Sequence, residues 1–181
     1  MELTDGEKLI IFMLTEIYEK LDIKGELDAS FVQKAVSSGN AWSIPWRIKC
    51  VQFDPSKEDP QVVKEVCDIL EMWSFVENSY KELSDEDRDD VKKSIEPLSG
   101  HVFKGFDGNS QKGHMWIARF MIDDLGVFQQ FKGRELNAHA PTLDTYLRML
   151  PIFEDIQKKI SGRLLNVVEI SSILNAQKKR S

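Results

Sequence analysis

Asp59-Pro-Gln-Val-Val-Lys-Glu-Val-Cys-Asp-Ile-Leu-Glu-Met-Trp-Ser-Phe-Val-Glu-Asn-Ser-Tyr80 is the stretch on which the fold turns. Val62, Val63, Val66, Ile69, Leu70, Trp73, Val76 and Tyr80 recur at three- and four-residue steps. That spacing predicts one apolar face on a helix of about six turns. Asp59-Pro60 reads as its start, with a carboxylate at the N-cap and proline at the first helical position.

On the N-terminal side, Trp42-Ser43-Ile44-Pro45-Trp46 predicts a break in regular structure, because Pro45 lacks a donor and biases Ile44 away from helix. The chain from Asp54-Pro55 to Asp59 reads as a connection. Earlier, Asp28 opens a short helix carrying Phe31, Val32, Ala35 and Val36, which stops at Ser38-Gly39-Asn40. Thr4 and Glu7 have the capping-box spacing. Behind them, Leu9, Ile10, Met13, Leu14, Ile17, Tyr18 and Leu21 mark an amphipathic helix of about five turns.

On the C-terminal side, Ser84 with Asp87 restarts a helix buried through Val91 and Ile95. Pro97, Gly100, Gly105 and Gly108 end regular structure. The loop from His101 to Asn109 keeps Phe103 and Phe106, which predicts that it is pinned to the core. Asn109 or Ser110 is positioned to cap a helix running through Trp116, Ile117, Phe120, Met121 and Leu125. Thr142 begins another helix, which Pro151 either kinks or separates from a successor containing Phe153, Ile156 and Ile160. A last helix runs from about Val167 to Ala176. Period-two alternation never lasts, so the expected fold is all-α, a single domain of six to eight helices over 1–176 with a basic tail at 177–181.

Of 181 residues, 41% are hydrophobic and 30% charged, the composition of one folded domain. The longest apolar run, Leu9 to Leu14, is far short of the ~18 residues a membrane span needs. The acidic start Met1-Glu2-Leu3-Thr4-Asp5 has no basic leader, so a cytoplasmic location is expected, with no membrane partner. With 24 Lys+Arg against 30 Asp+Glu the net charge is −6, which argues against nucleic acid as a partner. Cys50 and Cys67 are too few for a disulfide framework and read as packed thiols.

Catalytic spacing is missing throughout. His101, His114 and His139 lie on three segments with no paired ligand spacing, so no metal and no cofactor are expected. No nucleophile elbow occurs, and Asp123-Asp124 are adjacent, pointing about 100° apart on a helix. Lys104 to Ser110 has the outline of an anion-binding loop entering a helix, without Walker or dinucleotide spacing. Trp42 and Trp46 beside Arg47 have the composition of an interface anchor, or else fill a gap between the first helices and the long one.

Several segments together resemble the YfbU family of bacterial proteins. They are Met1-Glu2-Leu3-Thr4 with Lys8-Leu9-Ile10-Ile11, Asp68-Ile-Leu-Glu-Met72, Phe103-Lys-Gly-Phe-Asp107 and Arg119-Phe-Met121. Asn137-Ala-His-Ala-Pro141, Tyr146-Leu-Arg-Met-Leu150 and Ile170 to Ala176 follow in the same order, whereas Ala41 to Asp54 departs from the family's pattern. The resemblance implies an all-α, self-associating protein and supplies no catalytic residues.

Phe106, Asp107, Arg119, Asn137 and Arg148 lie in these segments, the last four as polar residues among apolar ones. Buried polar groups need partners, so Asp107 is expected to pair with Arg119 or Arg148 and lock the loop to the helices. The alternative is a cleft for a small anionic or polar ligand. The expected function is that of a non-catalytic interaction or regulatory protein that forms a homo-oligomer and engages other proteins. An enzyme or small-ligand sensor using the 101–110 loop and Arg119/Arg148 stands as the alternative.

Overall fold

A computed structural model describes residues 2–54, 58–96 and 100–178. Among these are eight α-helices and no strand: α1 (Asp5–Lys20), α2 (Ala29–Ser37), α3 (Ile44–Arg47), α4 (Gln61–Glu82), α5 (Asp85–Ile95), α6 (Lys112–Asp123), α7 (Leu143–Ile160) and α8 (Val167–Asn175). The fold is all-α. Pro97 and the last three residues of the expected basic tail lie outside the described residues, as do 55–57 of the connection before α4.

α4 is the central post. Val63, Val66, Ile69, Leu70, Trp73 and Val76 are buried along it, where α6, α7 and α8 pack. α5 lies on α8, and α1 packs on α2. Phe31 of α2 meets Phe120 of α6 at 6.2 Å between ring centres, which joins the N-terminal pair to the bundle. The predicted capping box closes at the head of α1: Glu7 N–H donates to Thr4 Oγ1 at 3.3 Å and Thr4 N–H to Glu7 Oε2 at 2.8 Å.

Three local expectations are corrected. Asp59 is not the N-cap of α4; Pro60 occupies that position, and the Asp59 carboxylate accepts the Trp46 indole N–H at 3.0 Å. A half-buried indole donor needs an acceptor, whereas first-turn amides of an exposed helix end find water. Pro45 does not break the chain either. Ile44 is helical (φ −58°, ψ −49°) and Pro45 sits in the first turn of α3, where its missing N–H costs no hydrogen bond. Neither Asn109 nor Ser110 caps α6, which starts after Gln111.

Of the two outcomes expected at Pro151, separation does not occur: α7 is one helix from Leu143 to Ile160 with Pro151 inside it. Its ring lies on the exposed side, where the carbonyl it leaves unbonded can be hydrated.

Candidate functional site

The 100–111 loop and the 134–142 segment are stitched into one unit. Phe106 N–H donates to Leu136 O and Ala138 N–H to Phe106 O, both at 2.9 Å, forming an isolated parallel bridge between Phe106 and Asn137. Asn137 Oδ1 accepts from Gly108 N–H at 2.9 Å and His139 N–H at 3.0 Å. The Gly105 carbonyl accepts from Thr142 Oγ1 at 2.8 Å and Tyr146 Oη at 3.1 Å. Gln111 Oε1 takes Asp107 N–H at 3.0 Å. Phe103 and Phe106 are buried among Trp73, Phe131 and Tyr146, as two phenylalanines kept in a turn-rich loop predict. Burial pushes the Tyr146 hydroxyl up to about 12, so it stays a neutral donor.

Asp107 is buried but pairs with neither arginine, which corrects the expected lock. Its carboxylate closes its own turn, accepting from Ser110 Oγ at 2.5 Å, Asn109 N–H at 3.1 Å and Ser110 N–H at 3.2 Å. The Ser110 hydroxyl, then the Asn109 amide, hold its pKa below the ordinary carboxylate value. Such a group stabilises the fold above the ordinary carboxylate pKa and loses that contribution as pH falls through the depressed one. The amides at Gly108, Asn109 and Ser110 that would cradle a phosphate are thus taken up internally.

The two arginines do different work. Arg148 on α7 donates to the carbonyls of Asp144 at 3.0 Å, Gln177 at 3.1 Å and Ala176 at 3.4 Å, clamping the end of α8. Arg119 lies 5.4 Å over the exposed Trp116 ring, away from the loop. The expected group of Phe106, Asp107, Asn137, Arg119 and Arg148 therefore assembles only in part, with Phe106, Asp107 and Asn137 together and the arginines elsewhere. The long-range ion pair beside the loop is one that sequence reasoning missed: Arg134 grips Glu77 at 2.7 and 2.9 Å, and Glu77 also accepts Phe103 N–H at 2.8 Å.

Trp42 is buried, edge-on to Trp46 at 5.3 Å and to Phe120 at 6.1 Å, with its N–H on Asn40. Trp46 is half-buried and, with Trp42, lines an open hollow of about 500 Å³. Arg47 lies 4.5 Å over Phe31, pairs with Asp28 at 2.7 Å and donates to Asp124 O at 2.8 Å. It thereby ties the start of α2 to the end of α6. His114 meets Glu65 at 2.9 Å, and His101 stacks on Tyr80 at 4.2 Å. Among the described residues no group of three or more His, Cys, Asp or Glu side chains converges to hold a metal, and no helix is long and apolar enough to cross a membrane.

Among the described helices α1 carries the most exposed large apolar side chains. Ile11, Phe12 and Thr15 face the molecule, while Leu9, Ile10, Met13, Leu14, Ile17 and Leu21 are each more than half exposed. An apolar hollow of about 350 Å³ adjoins it, with Leu14, Ile17, Ile23, Leu27 and Val32 in its walls. The sequence signal was the unbroken run Leu9 to Leu14. Six consecutive apolar residues circle a helix, so a helix at the edge of a bundle buries only part of them.

The fastened loop and the uncovered helix are the two features that stand out among the described residues, and the chain can be set beside the proteins it resembles. It is 35% identical over 116 residues, 61% of its length, to UPF0304 protein MJECS11 of Methanocaldococcus jannaschii, spanning 65% of that protein. It is 27% identical over 178 residues, 97% of its length, to the whole of UPF0304 protein PM1500 of Pasteurella multocida. The YfbU domain model matches residues 1–176, so the chain belongs to the YfbU family.

Proposed function

We propose that this is a non-catalytic protein that self-associates and acts on other proteins through its outer faces. The observation that carries this reading is the face of α1, with Leu9 62% and Leu21 68% exposed on a helix that leaves this side without a neighbour among the described residues. Contiguous apolar patches of this size mark association surfaces in soluble proteins. The test is light scattering across a concentration series, on the wild-type chain and on Leu14→Glu with Ile17→Glu. The expected result is an oligomer for the wild type and a monomer of unchanged helicity for the double variant. A wild-type chain that stays monomeric at tens of micromolar overturns the proposal.

A small-ligand sensor is the second reading. Trp73 Nε1 is buried without a hydrogen-bond partner among the described residues, and Trp73 lines a hollow of about 160 Å³ with Lys104, Thr145 and Gln177. A thermal-shift screen with small anions decides it, since one clear stabiliser would reverse the order of the two readings.

A further inference from the structure

The hollow over Trp73 differs in charge from those beside Trp46 and Tyr80. Beside Trp46 the wall carries Asp54, Glu58 and Asp59, and beside Tyr80 the cation Arg134 is already held by Glu77. The hollow of about 160 Å³ over Trp73 has no carboxylate among its described wall residues. It has Lys104 instead, whose ammonium makes no hydrogen bond or ion pair among the described residues. Tyr146 adds no charge, since burial pushes its hydroxyl up to about 12.

Donors gather around the same space. The first turn of α7 enters the wall through Thr142 and Thr145, which brings the positive end of an 18-residue helix to the hollow. Asp144 in that turn is exposed and outside the wall. Thr145 Oγ1 accepts from Arg148 Nη2 at 3.2 Å and donates to nothing among the described residues, so its proton is free. Arg148 bonds three carbonyls and this hydroxyl, so its charge stands behind the wall with no carboxylate to cancel it. Trp73 is 1% exposed, and its Nε1 is a buried donor with no acceptor among the described residues. A buried donor left over in this way calls for a bound acceptor. Gly100, also in the wall, has no positive φ to account for it. A Cβ there would stand 3.3 Å from Gln177 Oε1 and 3.8 Å from Lys104 Cε, so the missing side chain leaves room at that spot.

Size and the rest of the wall narrow the ligand. The volume falls below the ~300 Å³ at which drug-sized pockets begin, so the occupant has only a few heavy atoms. Val102, Pro141 and the Tyr146 ring supply an apolar flank. A phosphate or sulfate would turn charged oxygens toward that carbon without compensation, whereas a short carboxylate is charged at one end and apolar at the other. We infer that this hollow binds a short aliphatic carboxylate of about two to four carbons, its oxygens taken by Lys104, the Thr145 hydroxyl and the Trp73 indole N–H. The inference rests on the small-ligand reading above and adds the class of ligand and the groups that hold it.

The test is titration of the isotope-labelled full chain with sodium butyrate, followed by NMR at the Trp73 indole N–H. Butyramide, sodium chloride and inorganic phosphate are run beside it at matched ionic strength. Lys104 is exposed and holds Tyr146 through its backbone N–H, so Lys104→Gln keeps the fold while removing the charge. The expected result is a saturable shift with butyrate, weakened about fivefold or more in Lys104→Gln and unchanged in Arg119→Gln, which deletes a charge elsewhere. Butyramide and chloride should leave the resonance in place. Phosphate binding at least as tightly as butyrate overturns the carboxylate in favour of an inorganic anion and leaves the small-ligand reading standing. Butyramide matching butyrate, or Lys104→Gln binding as the wild type does, overturns the role given to this wall. Butyrate binding that leaves the Trp73 resonance unmoved places the ligand elsewhere and overturns the site. No response to any anion overturns both the inference and the reading beneath it.

Discussion

A methyl group at Gly105 would lie 2.1 Å from the Leu136 carbonyl oxygen, on a backbone already at φ +84°. Neither the carbonyl nor the turn can yield without breaking the bridge between Phe106 and Asn137. Gly105→Ala should therefore destabilise the fold by about 2–4 kcal/mol in urea titration. Gly113 in α6 has nothing within 4 Å and ordinary helical geometry. Gly113→Ala should stabilise by about 0.5 kcal/mol through helix propensity alone. Equal effects at the two sites would show that the loop is not pinned as described. The sequence made the pinning legible, since Phe103 and Phe106 in a glycine-rich loop have to go somewhere apolar. It did not identify the partner of Asp107. A buried carboxylate suggests a cation, yet the Asp107-Gly-Asn-Ser110 turn supplies its own donors within three residues, which is the habit of Asp in tight turns.

Helix ends show how much one arginine can settle. The carbonyls of Ala176 and Gln177, just past the end of α8, lie beyond its turns, and Arg148 reaches them from the neighbouring helix while bonding Asp144 and Thr145 on its own. Arg148→Ala should cost about 1–3 kcal/mol by denaturant unfolding, with Arg148→Lys recovering only part, because a lysine cannot span several carbonyls as a planar fork does. Arg119→Ala should change stability by less than about 0.5 kcal/mol, since it gives up one exposed ring contact. A large loss at Arg119 with none at Arg148 would contradict these assignments. At this scale the 3.6-residue period carried most of the information, and α1, α2, α4, α5 and α8 lie where it placed them. Proline was the poorer guide. Pro45 read as a breaker and Pro151 as a kink or a break, but one lies in a first turn and the other inside a continuous helix on its exposed side, and sequence alone does not say which carbonyl loses a buried donor.

For the molecule as a whole, the periodic pattern shows that α1 is amphipathic but not which of its apolar sides the bundle takes. That depends on where α2 leaves room, a matter of tertiary packing. Because the bundle takes Ile11, Phe12 and Thr15, the broader stripe is left exposed, and under the proposed self-association the contact made there would add to the stability of the fold. Unfolding then requires dissociation, so the melting temperature depends on concentration. For a pair of copies each tenfold increase above the dissociation constant adds about 1.4 kcal/mol per dimer, hence about 0.7 kcal/mol per chain, worth roughly 1.5–3 °C for a domain of this size. Calorimetry from 1 to about 100 μM should show that rise in the wild-type chain. The Leu14→Glu, Ile17→Glu variant should melt at one temperature throughout, and the two curves should converge at the dilute end, because the substituted side chains already face water in a lone molecule. A wild-type melting temperature that stays flat across the range would mean that the greasy side of α1 contributes nothing to the folded state, and the surface would have to be assigned to some other purpose.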